Sequence, residues 1–174
     1  ASENIYMRPE AAAALEALFA GAAEDGLTLY ATSGYRSYST QKAIFERKLD
    51  RMSEKQANLS VAKPGYSEHQ TGLAMDIEGE TTKGTGLTEA FGESPEGIWA
   101  AKHCAEYGFI IRYPKDKTKI TGYIYEPWHL RYVGREAAQE ITALDVTFEE
   151  YIAMVRSDRI QWLQEETQYD DQNP

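Results

Sequence analysis

The feature that most restricts the fold is the closeness of apolar, strand-like segments in the second half of the chain. Phe109 to Tyr113 and Gly122 to Tyr125 have the composition of strands, and His129 to Val133 continues as another. Parallel neighbours need a crossover of about a dozen residues or more, and these connections are shorter. Several neighbouring strands must therefore run antiparallel.

Helix and strand patterns alternate in the rest of the chain. Helices are predicted from Pro9 to Asp25, from Ser37 or Ser39 to about Met52, from Pro95 to near Gly108, and twice after Val133, the second with a capping box of Thr147 and Glu150. Strands are predicted from Leu27 to Thr32 and from Leu73 to Ile77, and residues 78–94 read as a loop. The pattern predicts an α+β fold with a mainly antiparallel sheet flanked by helices.

The length and net charge of the chain exclude several classes of function. A chain of 174 residues without an interdomain linker predicts one domain over residues 1–174, with the acidic stretch 164–174 as a frayed tail. The net charge of −10 argues against electrostatic binding to nucleic acid or to an anionic bilayer. No apolar run approaches the roughly 20 residues of a membrane span, so we expect no membrane insertion. Cys104 is the only cysteine and reads as a buried, small apolar side chain.

Two of the three histidines stand in conspicuous surroundings. A catalytic zinc takes three protein ligands and keeps a fourth position for water, and His69, Asp76 and His129 could supply them. Each histidine taken singly is more often a hydrogen-bonded structural residue. Asp76 carries more weight, because a carboxylate within the apolar run Leu73 to Ile77 is costly to bury unless it is paired or binds a metal. The spacing alone leaves both interpretations open.

Four motifs carry a resemblance to a known family. They are Ser33-Gly-Tyr-Arg-Ser-Tyr38 with Gln41, Pro64-Gly-Tyr-Ser-Glu-His-Gln-Thr-Gly-Leu-Ala-Met-Asp76, Thr121-Gly122, and Tyr125-Glu-Pro-Trp-His-Leu-Arg-Tyr-Val-Gly134. In order and spacing they resemble the VanY-type D-alanyl-D-alanine carboxypeptidases, zinc peptidases of bacterial peptidoglycan related to the VanX-type dipeptidases. The resemblance covers residues 27–134 or so, and the stretches 1–26 and 135–174 add little to it. It implies a single zinc-peptidase domain.

The resemblance assigns the metal site and the base. It implies that His69, Asp76 and His129 bind Zn²⁺ and that Glu126 is the catalytic base. Glu68 could be read as a second base. We interpret it as structural, because adjacent residues of a strand or loop point apart.

The resemblance also assigns substrate contacts. It implies that Arg36 contacts the substrate and the developing oxyanion, and that Gln41 and Ser67 also bind the substrate. The alternative for Arg36 is a surface salt bridge, which contributes little to stability. Within the motif, the functional interpretation is favoured.

The implied reaction is hydrolysis of the terminal D-alanine from peptidoglycan stem peptides by metal-activated water attack. Pentapeptide ends in D-Ala-D-Ala, tetrapeptide ends with an L,D linkage and free D-Ala-D-Ala compete as substrates, and VanY-like motifs disfavour the dipeptide. A non-catalytic, zinc-containing peptidoglycan-binding module is the alternative from another class, and retention of Glu126 and all three ligands disfavours it. We expect a monomer that acts outside the cytoplasm, at the cell surface or secreted. The start at Ala1 without methionine suggests processing, so a removed N-terminal segment could have been a signal or anchor.

Overall fold

The structure is a computed structural model that describes residues 5–172, with side chains described through residue 161. Its α-helices are α1 (Pro9–Glu24), α2 (Tyr38–Leu49), α3 (Glu54–Ala57), α4 (Ala90–Glu93), α5 (Pro95–His103), α6 (Thr118–Thr121), α7 (Arg135–Leu144) and α8 (Phe148–Gln172). Its strands are β1 (Leu29–Ser33), β2 (Ala74–Gly79), β3 (Phe109–Tyr113) and β4 (Glu126–Tyr132). The tail predicted over 164–174 lies outside the described side chains and stays a prediction.

The four strands form one sheet in the order β1-β2-β4-β3, and each neighbouring pair is antiparallel. The predicted α+β fold with an antiparallel sheet is therefore confirmed. Strands β2 and β4 occupy the centre, so each has hydrogen-bonded neighbours on both sides. The central pair is the most constrained part of the sheet, and it carries two of the predicted metal ligands.

The strand predicted over Gly122 to Tyr125 is wrong. Helix α6 forms just before it and ends at Gly122, whose φ of +79° lies in the left-handed region that favours glycine. The N–H of Ile124 then donates to the carbonyl of Leu59, outside the sheet, at 2.9 Å. Strand β4 instead begins at Glu126, three residues before the predicted start at His129.

The remaining differences from the predicted elements are small. Helices α3, α4 and α6 have only four residues each, too few for a helical period to show in the sequence. Helix α4 and the end of β2 fall inside the predicted loop 78–94. Residues Cys104–Tyr107 form a 3₁₀ turn between α5 and β3.

The caps behave as their chemistry predicts. Ser37, rather than Ser39, caps α2, because its hydroxyl accepts a hydrogen bond from the N–H of Thr40 at 3.1 Å. The capping box before α8 is confirmed. The N–H of Thr147 donates to the Glu150 carboxylate at 2.8 Å, and the N–H of Glu150 donates to the Thr147 hydroxyl at 3.2 Å.

The core packs against both faces of the sheet. Leu18 of α1, Ile77 of β2 and Phe109 of β3 belong to the main buried cluster, which also includes residues of α5. Ile110 points to the opposite face and packs in a second cluster with residues of α7. Cys104 is buried in the main cluster, so the prediction of a buried, small apolar side chain is confirmed, and burial raises the pKa of its thiol to about 12. No helix in the described part of the chain is long and apolar enough to cross a membrane.

Candidate active site

The register of the central strands sets the first two ligands opposite each other. Asp76 of β2 pairs directly with His129 of β4. Directly paired residues of antiparallel strands project to the same face, with their Cβ atoms about 5 Å apart. His69 joins them from a 3₁₀ turn, Glu68–Thr71, which ends at Gly72 with a φ of +72°. The turn at this glycine brings His69 back over β2.

The three side chains form a compact and buried donor set. The Nε2 atom of His69 lies 3.3 Å from Asp76 Oδ2, and His129 Nδ1 lies 2.9 Å from Asp76 Oδ1. One ligand atom from each residue lies within 4.8 Å of the others. Two imidazole nitrogens and one carboxylate oxygen suit a catalytic zinc that leaves a position open. The structure therefore brings together the three residues that the sequence predicts as ligands.

Hydrogen bonding orients His69 toward the donor set. Its Nδ1 atom lies 2.8 Å from the carbonyl oxygen of Gly34, which can only accept. The proton must then be on Nδ1, and the lone pair of Nε2 points toward Asp76. Burial alone would raise the pKa of Asp76, but its electrostatic interaction with His69 and its hydrogen bond with His129 lower it strongly, so the carboxylate is ionised.

An irregularity in β4 turns Glu126 into the same cleft as His129. Residues three apart on a regular strand face opposite sides. Here Ile111 pairs with Leu130 but Tyr113 pairs with Glu126, so β4 has two more residues than β3 between these pairs. Pro127 lies in this stretch and is not among the paired residues of either ladder, so its missing N–H is tolerated there. Both Glu126 and His129 consequently line the cleft.

Glu126 has the electrostatics of a proton acceptor that can also donate. Within the described residues no hydrogen bond or ion pair reaches its carboxylate, although the residue is only 7% exposed. Burial is the main cause that raises its pKa to about 7, and the negative charge of Asp76 adds to this, against the opposing charge of His129. A carboxyl with a pKa near 7 can exchange a proton in both directions at neutral pH.

Arg36 lies just beyond β1 and aims its guanidinium at the donor set. Its Nη2 donates to Asp76 Oδ2 at 2.8 Å, and its Nε donates to the Ser33 hydroxyl at 3.0 Å. Nη1 reaches the side-chain oxygen of Gln41 only at 3.5 Å, so this nitrogen is weakly engaged. Because its partner Asp76 is buried, this ion pair is not the surface salt bridge of the alternative interpretation.

The other two predicted substrate contacts also line the cleft. Gln41 is 1% exposed and is fixed by a hydrogen bond from its amide nitrogen to the carbonyl of Ala62 at 2.7 Å. Ser67 is buried immediately before the 3₁₀ turn that carries His69. No hydrogen bond in the described structure occupies the Ser67 hydroxyl, which leaves it available to a ligand.

The cleft has a volume of about 310 Å³, which fits the end of a short peptide. Polar groups line one part and apolar side chains another, among them Ile44, Val61, Leu87 and Trp128. Trp128 also belongs to the main core cluster, so it is both a cleft wall and a core anchor.

Sequence reasoning missed two tyrosines of the cleft. The ring of Tyr113 lies 5.0 Å from the ring of His129, centroid to centroid, and 4.5 Å from the ring of Tyr123. Burial raises the pKa of both phenols, so they stay neutral donors. An aromatic residue in a strand is ordinary, so Tyr113 gave no signal. Tyr123 follows the Thr121-Gly122 motif, and that adjacency could have pointed to it.

Glu68 points away from the Asp76 side of His129 into a group of charges that we call the arginine cluster. The cluster consists of Glu68, Arg112, Arg131 and Glu149. Glu68 Oε1 accepts from Arg112 Nε at 2.8 Å and lies 2.9 Å from Arg131 Nη1, while Arg112 also binds Glu149 at 2.5 and 3.0 Å. The structural interpretation of Glu68 agrees with these contacts.

Comparison with known proteins agrees with this geometry. The family model for VanY, D-alanyl-D-alanine carboxypeptidase, matches residues 4–135. A putative carboxypeptidase, YodJ, of Bacillus subtilis is 52% identical over 151 residues, which cover 87% of this chain and 55% of that protein. The chain thus spans about half the length of this relative.

Two solved structures extend the likeness to three dimensions. The LdcB LD-carboxypeptidase superposes with a TM-score of 0.82 at 51% identity, covering 88% of this chain and 72% of that one. A mutant of the vancomycin resistance D,D-pentapeptidase VanY in complex with Zn(II) gives 0.75 at 37% identity, covering 87% and 86%. Fold, sequence and the matched motifs agree, and the chain belongs to the VanY family of D-alanyl-D-alanine carboxypeptidases.

Proposed function

We propose that this protein is a zinc-dependent carboxypeptidase that removes the terminal D-alanine from peptidoglycan stem peptides. The observation that carries the proposal is the placement of Glu126, unpaired and with a raised pKa, in the cleft of the donor set His69, Asp76 and His129. The VanY relative in complex with Zn(II) supports zinc as the metal. A bound zinc supplies Lewis acidity, which activates a water molecule and polarises the scissile carbonyl.

Glu126 handles the protons of the reaction. Its carboxylate accepts a proton from the attacking water and then delivers a proton to the nitrogen of the departing D-alanine. The sequence has no serine or cysteine nucleophile motif, which fits direct attack by water without an acyl-enzyme intermediate. Cys104 does not serve as a nucleophile, because its thiol is buried in the core and burial raises its pKa.

Arg36 provides a fixed positive charge beside the scissile bond. Its planar fork can bind an oxyanion or a carboxylate through two parallel hydrogen bonds, and the weakly engaged Nη1 is free to turn to the substrate. We propose that Gln41 and Ser67 bind the peptide on the same wall. An exopeptidase needs such groups because the free C-terminal carboxylate distinguishes its substrate.

The substrate class follows from the relatives, which include both D,D- and L,D-carboxypeptidases. We propose D-alanine-terminated stem peptides, with D-Ala-D-Ala and L,D-linked ends as the two candidates. The alternative of a non-catalytic binding module is disfavoured, because such a module has no use for an unpaired Glu126 in the cleft. We further propose that the protein acts as a monomer outside the cytoplasm, where peptidoglycan lies, and that it has no nucleic-acid partner.

The test is incubation of zinc-loaded protein with muropeptides of defined length, with product masses as the readout. We expect loss of one alanine from pentapeptide, from tetrapeptide or from both, and about one zinc per chain by elemental analysis. His69→Ala should lose most of the zinc and all turnover, because a metal ligand is removed. Full activity in metal-free protein, or an unchanged muropeptide mass with zinc-loaded protein, would exclude the proposal.

A further inference from the structure

Two buried polar atoms beside the donor set have no conventional hydrogen bond. They are Nε2 of His129 and Oε2 of Glu68, and among the described side chains no others share this condition. The two atoms face each other at 3.5 Å. Buried polar atoms in native proteins nearly always have a partner, so each is the natural partner of the other.

Contacts with two arginines fix the position of the Glu68 carboxylate. Its second oxygen, Oε1, is shared by Arg112 and Arg131 at 2.8 and 2.9 Å, which fixes the rotation of the carboxylate. With Oε1 occupied, Oε2 can only face His129. Two guanidinium groups on Oε1 hold Glu68 as a carboxylate, so its other oxygen, Oε2, is an acceptor.

A neutral imidazole carries one proton. An acceptor beside one nitrogen keeps the proton on that nitrogen, and the other nitrogen then has a free lone pair. For His69 the acceptor is the carbonyl of Gly34 at Nδ1, and the free lone pair is on Nε2. For His129, carboxylate oxygens face both nitrogens: Asp76 Oδ1 lies 2.9 Å from Nδ1, and Glu68 Oε2 lies 3.5 Å from Nε2. Because Asp76 is itself one of the proposed ligands, a metal held by Asp76 and His129 would take the place of a proton on Nδ1, and the remaining ring proton would be on Nε2, toward Glu68. The two histidines therefore present opposite nitrogens to the cleft.

From this geometry we propose that Glu68 is a positioning residue for the metal site: it accepts the Nε2 proton of His129 and so directs the Nδ1 lone pair to the metal. The proposal rests on the proposed zinc site and deepens it. Glu68 need touch neither substrate nor metal, so it is not a catalytic residue. Carboxylates that hold a ligating histidine in this way raise its basicity and fix its ring orientation.

The same contacts connect the metal site to helix α8, which lies beyond the region matched by the family model. Glu149, in the first turn of α8, holds the Arg112 guanidinium through both of its oxygens. Phe148 lies under the guanidinium groups of Arg112 and Arg131, at 5.3 and 5.4 Å from its ring centroid. Helix α8 thus supports Glu68 through the two arginines.

The first test is the zinc affinity of purified protein, measured by competition with a chromophoric chelator and independent of turnover. Glu68→Gln keeps the shape, but an amide cannot accept from both the arginines and His129. We expect zinc to bind about 10–100-fold more weakly, the usual cost of losing such a support. The matched control is Glu96→Gln, another buried, hydrogen-bonded carboxylate, which accepts from the N–H and hydroxyl of Thr81. Its zinc affinity should equal that of the native protein.

A second variant covers the case in which Glu68→Gln does not fold. Glu149→Gln acts two contacts away at a side chain that is 34% exposed, so the fold should tolerate it. Zinc affinity should fall in the same direction but by less than about tenfold, because Glu68 keeps Arg131. Native affinity in both Glu68→Gln and Glu149→Gln would overturn the proposal.

A spectroscopic measurement reports the positioning role directly. In zinc-loaded protein labelled with ¹⁵N-histidine, long-range ¹H–¹⁵N spectra should show His129 protonated at Nε2 and His69 protonated at Nδ1. A proton on Nδ1 of His129 would refute the assignment. If native protein binds no zinc, the proposed function fails. If native protein binds zinc and the Glu68 variant binds it equally well, only this inference fails.

Discussion

Two carboxylates flank His129, and their environments make them chemically opposite. Glu68 belongs to the arginine cluster, where two guanidinium groups hold one oxygen and the pKa falls to about 2. Glu126 lines the cleft, where no protein group in the described structure pairs with it and the pKa rises to about 7. Both are largely removed from water, so burial alone does not separate them.

The difference between the two regions is one of partners. Burial raises the pKa of a carboxyl, and paired cations reverse that effect when they are close and hydrogen-bonded. The arginine cluster therefore contains a permanent anion that can only hold other groups in place. The cleft contains a group whose proton is exchangeable at neutral pH. His129 lies between the two regions. Glu68 faces its Nε2 atom from the arginine cluster, and Glu126, three residues earlier in β4, lines the cleft with it.

The largest expected difference between the two regions is in turnover. Glu126→Gln keeps the shape of the cleft and removes the base, so kcat should fall by about 10²–10⁴-fold while zinc stays bound. Glu68→Gln, assayed in saturating zinc, should lose much less turnover because its defect is in metal affinity. Steady-state kinetics with parallel zinc analysis measures both. If Glu126→Gln and Glu68→Gln lost turnover equally at full zinc occupancy, the assignment of Glu126 as the base and Glu68 as a support of the metal site would be wrong.

The next largest effect is expected from substitution of Arg36, the arginine that lines the cleft. Arg36→Ala should lower kcat/KM by about 10²–10³-fold, the scale of losing one oxyanion donor. Arg36→Lys should restore little, because a point charge cannot serve Ser33, Asp76 and a substrate at once. Zinc content should change little, since all three ligands remain.

The kinetic parameters locate the role of Arg36. A loss confined to kcat indicates oxyanion stabilisation, and a loss confined to KM indicates recognition of the terminal carboxylate. A fall in Tm of many degrees with unchanged turnover at low temperature would show that Arg36 is only a structural ion pair.

The smallest effect is the pH dependence of stability in metal-free protein, and it has opposite signs in the two regions. Glu126 has a raised pKa in the folded state, so it lowers stability as pH rises from about 4.5 to above 7. The free energy of unfolding of Glu126→Gln should therefore rise by about 1–3 kcal/mol relative to that of native protein as pH increases from 5 to 8. Glu68 has a lowered pKa, so its stabilisation is present above about 4.5 and is lost as pH falls toward 2.

Urea unfolding at a series of pH values measures these differences. Glu68→Gln should be destabilised at pH 7, and its deficit should shrink in acid. A Glu126→Gln curve parallel to that of native protein from pH 5 to 8 would show that Glu126 is not perturbed by burial.

The sequence predicted those parts of the molecule that rest on local rules. The helices α1 and α2 follow from an N-terminal proline and a serine cap, and antiparallel pairing follows from short connections. Asp76 stood out because an acid in an apolar strand must have a partner. The roles of His69, His129 and Glu126 came from the resemblance, and the structure places all of them at one cleft.

What the sequence did not predict depends on contacts between distant segments. The extra residues of β4 that turn Glu126 into the cleft are defined only by its pairing with β3. Glu68 joins Arg112 across 44 residues of chain, and Arg112 joins Glu149 across 37. Charged residues with these spacings are ordinary on a surface, so no local pattern marks them as one buried network. The strand predicted at Gly122 failed for a similar reason, since its backbone pairs with Leu59.

The pairing of Asp76 with His129 also ties the heat stability of the protein to its supply of metal. His129 lies 53 residues after Asp76, so the unfolded chain does not hold the ligands together, and zinc favours the folded state by mass action. Above the dissociation constant, each tenfold rise in free zinc adds about 1.4 kcal/mol to the free energy of unfolding. As free zinc falls toward the dissociation constant, the free energy of unfolding should therefore fall while most of the metal sites are still occupied.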